Sequence, residues 1–155
     1  MNDVTLTIVT PPELPKPSGF AHGLIAPAGG RVLFVAGQIA SGADGRVTSD
    51  DFLAQFETAL TNVLAVVREA GGRADHIARM TVYVTSIERY RDGRAALGDV
   101  WRRHMGSHYP AMALVQVVAL VDARAAVEIE ATAVLPDSAA SPLRRGSPKP
   151  RRRRP

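Results

Sequence analysis

Two carboxylates share one side of a strand near the C-terminal end of the chain. Glu128, Glu130 and Thr132 alternate with apolar residues in the run Val127-Glu-Ile-Glu-Ala-Thr. Successive strand side chains point to opposite faces, so these three lie on the same face. Carboxylates there need either solvent or a pocket that uses a negative charge. The pattern makes Glu128 and Glu130 candidates for lining such a pocket, with a solvated sheet edge as the alternative.

Histidine is the other residue type here that suits acid–base chemistry near neutral pH. Of the four histidines, His22 is the best candidate, and a surface or structural role is its alternative. His76, His104 and His108 lack ligand spacing with acidic residues, so no metal site is predicted. The chain has no cysteine, which excludes disulfides, thiolate catalysis and cysteine-ligated metals. We expect no cofactor.

Hydrophobic periodicity predicts an α+β layer that positions these residues. The apolar stripe at Phe56, Leu60, Val63 and Val67 indicates a helix, which a Thr48–Asp51 capping box would begin. A second helix is expected from Thr85 to Met105. Alternating or apolar runs predict six strands at 4–9, 22–27, 31–39, 77–85, 113–120 and 125–135. The Gly29-Gly30 turn suggests that the second and third strands form a hairpin.

Composition predicts one domain and a separate basic tail. The chain has 155 residues, 46% of them hydrophobic, enough for one core. Residues 136–155 hold seven Lys/Arg and one acid, and the remaining 12 basic and 14 acidic residues leave residues 1–135 mildly acidic. The tail is rich in Pro, Ser and Arg and is expected to be disordered. The tail has two interpretations: it is a solvated appendage, or it binds nucleic acid through its positive charges.

No run of about 18 apolar residues is present, so no membrane span is predicted. The first residues lack the basic and apolar segments of a secretory signal. We therefore expect a cytoplasmic protein.

Several segments together resemble one known family. They are Phe34-Val-Ala-Gly-Gln-Ile39, Asp44-Gly45, Met80-Thr-Val-Tyr-Val84, Tyr109-Pro-Ala-Met112 and the strand that carries Glu128. In this order they resemble the RidA (YjgF) family of reactive-intermediate imine/enamine deaminases, over residues 19–135. The resemblance implies a chorismate-mutase-like fold, β-β-β-α-β-α-β-β, with two helices on one face of a mixed sheet. It also implies a homotrimer that binds small molecules in clefts between subunits.

The resemblance also implies site residues. The family's water-positioning glutamate corresponds to Glu128, which would be the catalytic residue. Gly37 and Gln38 match the family's Gly-Gln pair, Ala111 contributes backbone beside the cleft, and His22 lies near it. Four positions depart from the family's polar pattern: Phe20 replaces a tyrosine, Ala36 a serine, Ala95 an asparagine and Met112 the arginine that binds the substrate carboxylate.

A methionine cannot pair with a carboxylate, and a buried carboxylate without a partner is strongly disfavoured. We therefore expect an atypical hydrolase of an imine, enamine or related metabolite rather than an efficient 2-iminoacid deaminase. Arg124, in the turn before the last strand, could supply a replacement guanidinium. The alternatives are a non-catalytic metabolite-binding trimer and a nucleic-acid-associated protein that acts through the tail.

Overall fold

The computed structural model describes residues 4–137, which form six strands, three α-helices and a 3-10 turn at Ala74–His76. None of the helices in this range has both the length and the hydropathy that crossing a bilayer requires. Most of the predicted tail, 138–155, lies outside the described residues. In chain order the elements are β1 (Thr7–Val9), β2 (Gly23–Ile25), β3 (Arg31–Ile39), α1 (Phe52–Glu69), β4 (Ile77–Val84), α2 (Ile87–Asp92), α3 (Arg94–Met105), β5 (Ala111–Gln116) and β6 (Val127–Leu135).

The main sheet contains four strands in the order β3-β6-β4-β5. β6 runs antiparallel to both β3 and β4, whereas β4 and β5 are parallel. A parallel pair needs a long crossover, which α2 and α3 provide here. The mixed sheet and the element order confirm the predicted α+β class.

One face of this sheet packs against α1 and α3. The predicted stripe on α1 is buried, with Leu60, Val63 and Val67 fully inaccessible. These side chains meet Met80 and Val82 of β4, which solvent does not reach either. Burial of this apolar stripe, more than helix propensity, holds α1 in place. Two main helices on one face of the sheet were predicted and are confirmed.

A bulge in β4 turns the Ile77 side chain to the opposite face from the one that strand alternation gives. Ile77 lies opposite Ala133, but Arg79 lies opposite Thr132, so the register slips by one residue. Ile77 consequently turns to the core and is fully buried. Strict alternation along the strand would instead place it on the same face as Arg79.

The helix starts differ by a few residues from those predicted. Asp51 itself caps α1, since its Oδ1 accepts a hydrogen bond from the Ala54 amide at 2.7 Å. Ser86 caps α2 in the same way. The single second helix that was predicted is divided at Gly93, whose weak helix propensity favours a break between α2 and α3.

The predicted hairpin between the second and third strands is wrong. β2 pairs antiparallel with β1 in a separate two-stranded sheet, and β3 pairs with β6. The segment before β2 instead follows the start of β5: Ala21 pairs parallel with Ala111, and its amide donates to the Pro110 carbonyl at 3.0 Å. This pairing holds Phe20 beside β5.

Candidate functional site

The Glu128 carboxylate lies directly against the backbone of Gly37. β3 bulges between Val35 and Gln38, and the Gln38 side chain donates to the Ala36 carbonyl within the bulge at 3.1 Å. A Cβ at Gly37 would lie only 2.8 Å from Cδ of Glu128, and closer still to a carboxylate oxygen. Glycine is therefore required for this approach. Glu128 is half-buried, and among residues 4–137 its carboxylate has no hydrogen-bond or ion-pair partner. It is thus free to bind a water or a ligand.

The second carboxylate of the strand is already engaged. The Tyr83 hydroxyl donates to Oε1 of Glu130 at 3.0 Å. This hydrogen bond to an anion, with desolvation and the nearby charge, raises the pKa of Tyr83 above its ordinary value of 10.0. Of the two carboxylates singled out from sequence, the structure thus leaves Glu128 open and pairs Glu130.

We call the surface that carries both acids the free face of the sheet, because none of the three described helices covers it. The burial pattern of β6 confirms that Glu128, Glu130 and Thr132 share it. Apolar side chains also lie there: Phe34 is 79% exposed and Val32 56% exposed. Large apolar groups of this kind beside acids indicate a surface that another molecule covers.

Met112 lies on the opposite face of the sheet. It pairs in register with Met80, whose side chain points to the helices, and it packs against the core. A groove of about 310 Å³ opens beside it, which we call the Met112 groove. Most of the residues that line it are apolar or aromatic, although polar groups make up about half of its surface; the lining residues are Ser18, Gly19, Phe20, Phe56, Val82, Tyr90, Arg94, Leu97, Gly98, Trp101, Tyr109, Met112 and Leu114.

Aromatic rings make one wall of the Met112 groove rigid. The indole of Trp101 stacks on the ring of Tyr109, with centroids 5.5 Å apart and planes 7° from parallel. The indole Nε1 donates to the His108 carbonyl at 3.0 Å, which fixes the orientation of Trp101. Trp101 is 6% exposed and belongs to the hydrophobic core. It therefore serves both the core and the groove.

Among residues 4–137, Arg94 is the only cationic side chain that lines the Met112 groove, and none of these residues places an acid there. The residue begins α3 and is exposed. Among residues 4–137, Arg94 forms no ion pair or side-chain hydrogen bond. The groove thus combines an apolar interior with one unpaired positive charge.

Phe20 lines the Met112 groove, but His22 does not. The imidazole of His22 meets the edge of the Phe20 ring at 5.2 Å, and its Nε2 lies 2.8 Å from the Pro15 carbonyl oxygen. One ring nitrogen is therefore committed to the backbone. These contacts favour the structural interpretation of His22 over an acid–base role.

Arg124 is not positioned as a replacement guanidinium. Its side chain forms an ion pair with Asp50 at 3.0 Å, and it does not line the Met112 groove. The turn that carries it is held by Gln55, which donates to the Arg124 carbonyl. Within one chain, Arg94 rather than Arg124 is the arginine that lines the Met112 groove.

The predicted site residues consequently form two separate groups within one chain. Ala36, Gly37, Gln38 and Glu128 lie on or beside the free face, whereas Phe20 and Met112 line the groove on the helix side. Ala111, at the start of β5, is half-buried and pairs with Ala21. Across residues 4–137, no cluster of three or more potential metal ligands occurs.

A second groove, of about 340 Å³, lies under the N-terminal strand and shares Phe20 and Tyr109 with the first. Its one charged lining residue, Asp75, forms an ion pair with Arg73 at 3.1 Å. Burial acts to raise the pKa of Asp75, but the hydrogen bond and charge of Arg73, together with nearby His76, outweigh it and lower the pKa below its ordinary value. Because Asp75 is paired with Arg73, the second groove has no unpaired charged side chain among its described lining residues.

A family model described as Endoribonuclease L-PSP matches residues 18–135, which include both groups of site residues. The chain belongs to the RidA (YjgF) family. The resemblance seen in the sequence is thereby confirmed.

Sequence similarity to individual proteins supports this family assignment. The chain is 30% identical over 105 residues to the 2-iminobutanoate/2-iminopropanoate deaminase of Capra hircus, covering 67% of this chain and 73% of that protein. It is 31% identical over 123 residues to Protein DfrA of Myxococcus xanthus, covering 79% and 90%.

Solved structures of RidA family members share the fold. The Rid protein YyfB of Yersinia pestis has a TM-score of 0.73 and 32% identity, covering 84% of this chain and 99% of that one. TdcF of E. coli, solved with bound serine, has a TM-score of 0.60 and 28% identity, covering 83% and 98%.

Sequence reasoning missed Arg94, Tyr90 and Tyr109 as groove residues. A signal was present, since Tyr90, Arg94, Leu97 and Trp101 follow helical spacing and Arg94 is a lone charge in that apolar stripe. Such a residue at the edge of an apolar surface is a candidate for binding an anion.

Proposed function

We propose that this RidA family protein hydrolyses an imine or enamine that is bulkier and more apolar than 2-iminopropanoate. The observation that carries the proposal is the open Glu128 carboxylate against Gly37. The relatives named as imine deaminases support the reaction class.

Hydrolysis of a C=N bond needs an oriented water and a protonated nitrogen. In our proposal, Glu128 accepts a hydrogen bond from the water and takes its proton as the oxygen attacks the imine carbon. The resulting carbinolamine receives that proton on nitrogen, its C–N bond breaks as ammonia leaves, and Glu128 takes the hydroxyl proton as the C=O bond forms. That proton then passes to the released ammonia. The products are a carbonyl compound and ammonia, and no redox step is involved.

The proposal places substrate between two copies of the chain. Glu128 and Met112 lie on opposite faces of one sheet, so a cleft that contains both requires the free face of one copy and the groove of another. The exposed apolar residues Val32 and Phe34 support burial of the free face in such an assembly. A homotrimer, as the resemblance implies, would contain three clefts of this kind.

Substrate preference follows from Met112 and Phe20. A thioether and a phenyl ring bind apolar groups but offer no charge to a carboxylate adjacent to the imine carbon. The proposed substrates therefore lack the small 2-iminoacid unit, or carry any acidic group farther from the C=N bond.

The test compares two imines generated in situ, 2-iminopropanoate from alanine with an amino-acid oxidase and benzylimine from benzylamine with an amine oxidase. We expect ammonia release above the spontaneous rate with benzylimine and little acceleration with 2-iminopropanoate. Met112→Arg should raise the rate of ammonia release from 2-iminopropanoate. Equal acceleration of both imines by the unaltered protein would contradict the proposed preference.

Glu128→Gln should reduce turnover of benzylimine by about a hundredfold or more, as expected for loss of a general base. Glu130→Gln is the matched control, because its carboxylate is bound by Tyr83 and should affect the rate little. The alternative of a non-catalytic binder is favoured by the missing arginine. In that case neither imine would be hydrolysed, and Glu128→Gln would alter only affinity.

A role for the tail in nucleic-acid binding, and a cytoplasmic location, stay predictions from the sequence.

A further inference from the structure

We infer that Arg94 makes the Met112 groove a binding site for apolar carboxylates whose acid group is separated from the reacting centre by a hydrophobic spacer. The inference deepens the proposed function and takes from it only that the groove receives a small molecule. It names Arg94, at the start of α3, as the residue that selects for charge.

The chemistry of the lining carries this inference. A guanidinium presents a planar fork that matches a carboxylate in two parallel hydrogen bonds. Arg94 has no partner of this kind among residues 4–137, and the groove that it enters contains no acid. Two other arginines of α3 are engaged: Arg102 pairs with Asp99, and Arg103 pairs with Glu57. Arg91 on α2 is also unpaired among residues 4–137, but it does not line the groove.

The apolar walls decide what lies between the charge and the reacting centre. Tyr90, Leu97 and Trp101 line the groove with Arg94, and Met112 and Phe20 complete it. A free phosphate or acetate would leave this apolar surface wet, whereas an aryl or branched alkyl group would cover it. The groove volume of about 310 Å³ lies at the lower end of the range of volumes seen for ligand pockets. This size suits a ligand with a single ring and a short acidic chain.

The probes are phenylacetate, 3-phenylpropanoate and 4-phenylbutanoate, each compared with its neutral amide and with acetate. Binding to the full chain is measured by calorimetry at low salt. We expect at least one aryl carboxylate to bind about tenfold more tightly than its amide, because the acid gains a charge-assisted hydrogen bond. Acetate should not bind measurably, since it covers no apolar surface.

Arg94→Gln should remove the preference for acid over amide while leaving the affinity for the amide unchanged. Arg91→Gln is the matched control: it makes the same charge change on α2, is exposed and does not line the groove. The preference for acid should persist in Arg91→Gln and weaken with salt in the unaltered protein. Retention of the acid preference in Arg94→Gln, its equal loss in Arg91→Gln, or no binding of any probe would overturn the inference.

Failure of the proposed function is separately visible. Binding of the aryl carboxylates and turnover of benzylimine are measured on the same preparations of each protein. If that binding depends on Arg94 but no imine is hydrolysed, the carboxylate site stands and the hydrolase proposal fails. If benzylimine is hydrolysed and Arg94→Gln binds the acids normally, the hydrolase proposal stands and this inference fails.

Discussion

At the scale of single residues, the approach of Glu128 to the Gly37 backbone is the most restrictive feature of the candidate site. Gly37→Ala would insert a methyl group into the volume of the carboxylate. We expect a loss of about 1–3 kcal/mol in the free energy of unfolding, as for overpacking, together with loss of turnover. Denaturation in urea measures the first effect.

Two further variants test whether the clash with Glu128 causes the loss of stability in Gly37→Ala. Gly42→Ala should change the free energy of unfolding by less than about 0.5 kcal/mol, because the added carbon would lie an ordinary 3.5 Å from Oδ1 of Asp44. The double variant Gly37→Ala/Glu128→Ala should be no less stable than Glu128→Ala alone, since the obstructing carboxylate is gone. Full additivity of the two single changes would show that the clash lies elsewhere.

A second residue-scale prediction concerns Glu57, which accepts hydrogen bonds from His104 at 2.7 Å and Arg103 at 2.9 Å. These two donors lower the pKa of Glu57 below its ordinary value of 4.5. A carboxyl whose pKa is lower in the folded state stabilises the fold above its unfolded pKa, and the stabilisation is lost as pH falls through the lowered value.

Glu57→Gln should therefore cost at most about 1 kcal/mol at neutral pH, because the pair is partly solvated. The cost should disappear at pH values below the lowered pKa. Urea denaturation across this range measures the difference between the two proteins. Glu69→Gln, an exposed change on the same helix, serves as the control, and a cost for Glu57→Gln that does not vary with pH would contradict the electrostatic explanation.

At the scale of elements, Gln55 on α1 anchors the turn before β6. Its Oε1 accepts from the Ala126 amide at 2.7 Å, and its Nε2 donates to the carbonyls of Ser49 and Arg124. Gln55 is 1% exposed. Gln55→Met keeps the length of the side chain but leaves the buried Ala126 amide without an acceptor. We expect this to cost about 2–3 kcal/mol of stability by urea denaturation.

Gln116→Met is the comparison, because Gln116 makes one hydrogen bond, to the Ile87 amide, at an exposed position. Water can replace that bond, so the cost should stay below about 1 kcal/mol. Similar costs for the two variants would mean that burial of the amide does not matter.

Local patterns allowed most of these elements to be predicted. The α1 stripe and the alternation along β6 are repeated often enough to decide type and facing from sequence. The pairing of β2 was missed because a turn of two glycines indicates that a hairpin is possible, while the actual partner of each strand depends on contacts distant in sequence. The bulge that turns Ile77 inward also has no recognisable local sequence pattern, because an apolar residue is compatible with either face of the strand.

The site was predictable only in part, for a related reason. Glu128, Gly37 and Met112 could be named from matching motifs, but their separation onto two faces depends on strand register. Arg94 escaped notice because a charged residue on an exposed helix start is ordinary until the groove beside it is known.

At the scale of the whole molecule, the separation of the two groups determines what the site requires. β6 places Glu128 in register with Tyr83, and β5 places Met112 in register with Met80, which points the other way. If the proposed cleft joins one copy's groove to another copy's free face, two differently damaged chains should repair each other. The pair is Glu128→Gln, which disables the free face, and Gly98→Trp, which fills the groove.

Each variant alone should be inactive. Refolded together as equal mixtures, they should recover about a quarter of the unaltered turnover, because half of the grooves are intact and half of those meet an intact Glu128 in a random cyclic trimer. Benzylimine turnover measures the recovery, and sedimentation equilibrium verifies that mixed and single-variant samples assemble alike. Mixtures prepared without unfolding should stay inactive if subunits do not exchange. An inactive refolded mixture of normal assembly would mean that Glu128 and the Met112 groove do not act in one cleft.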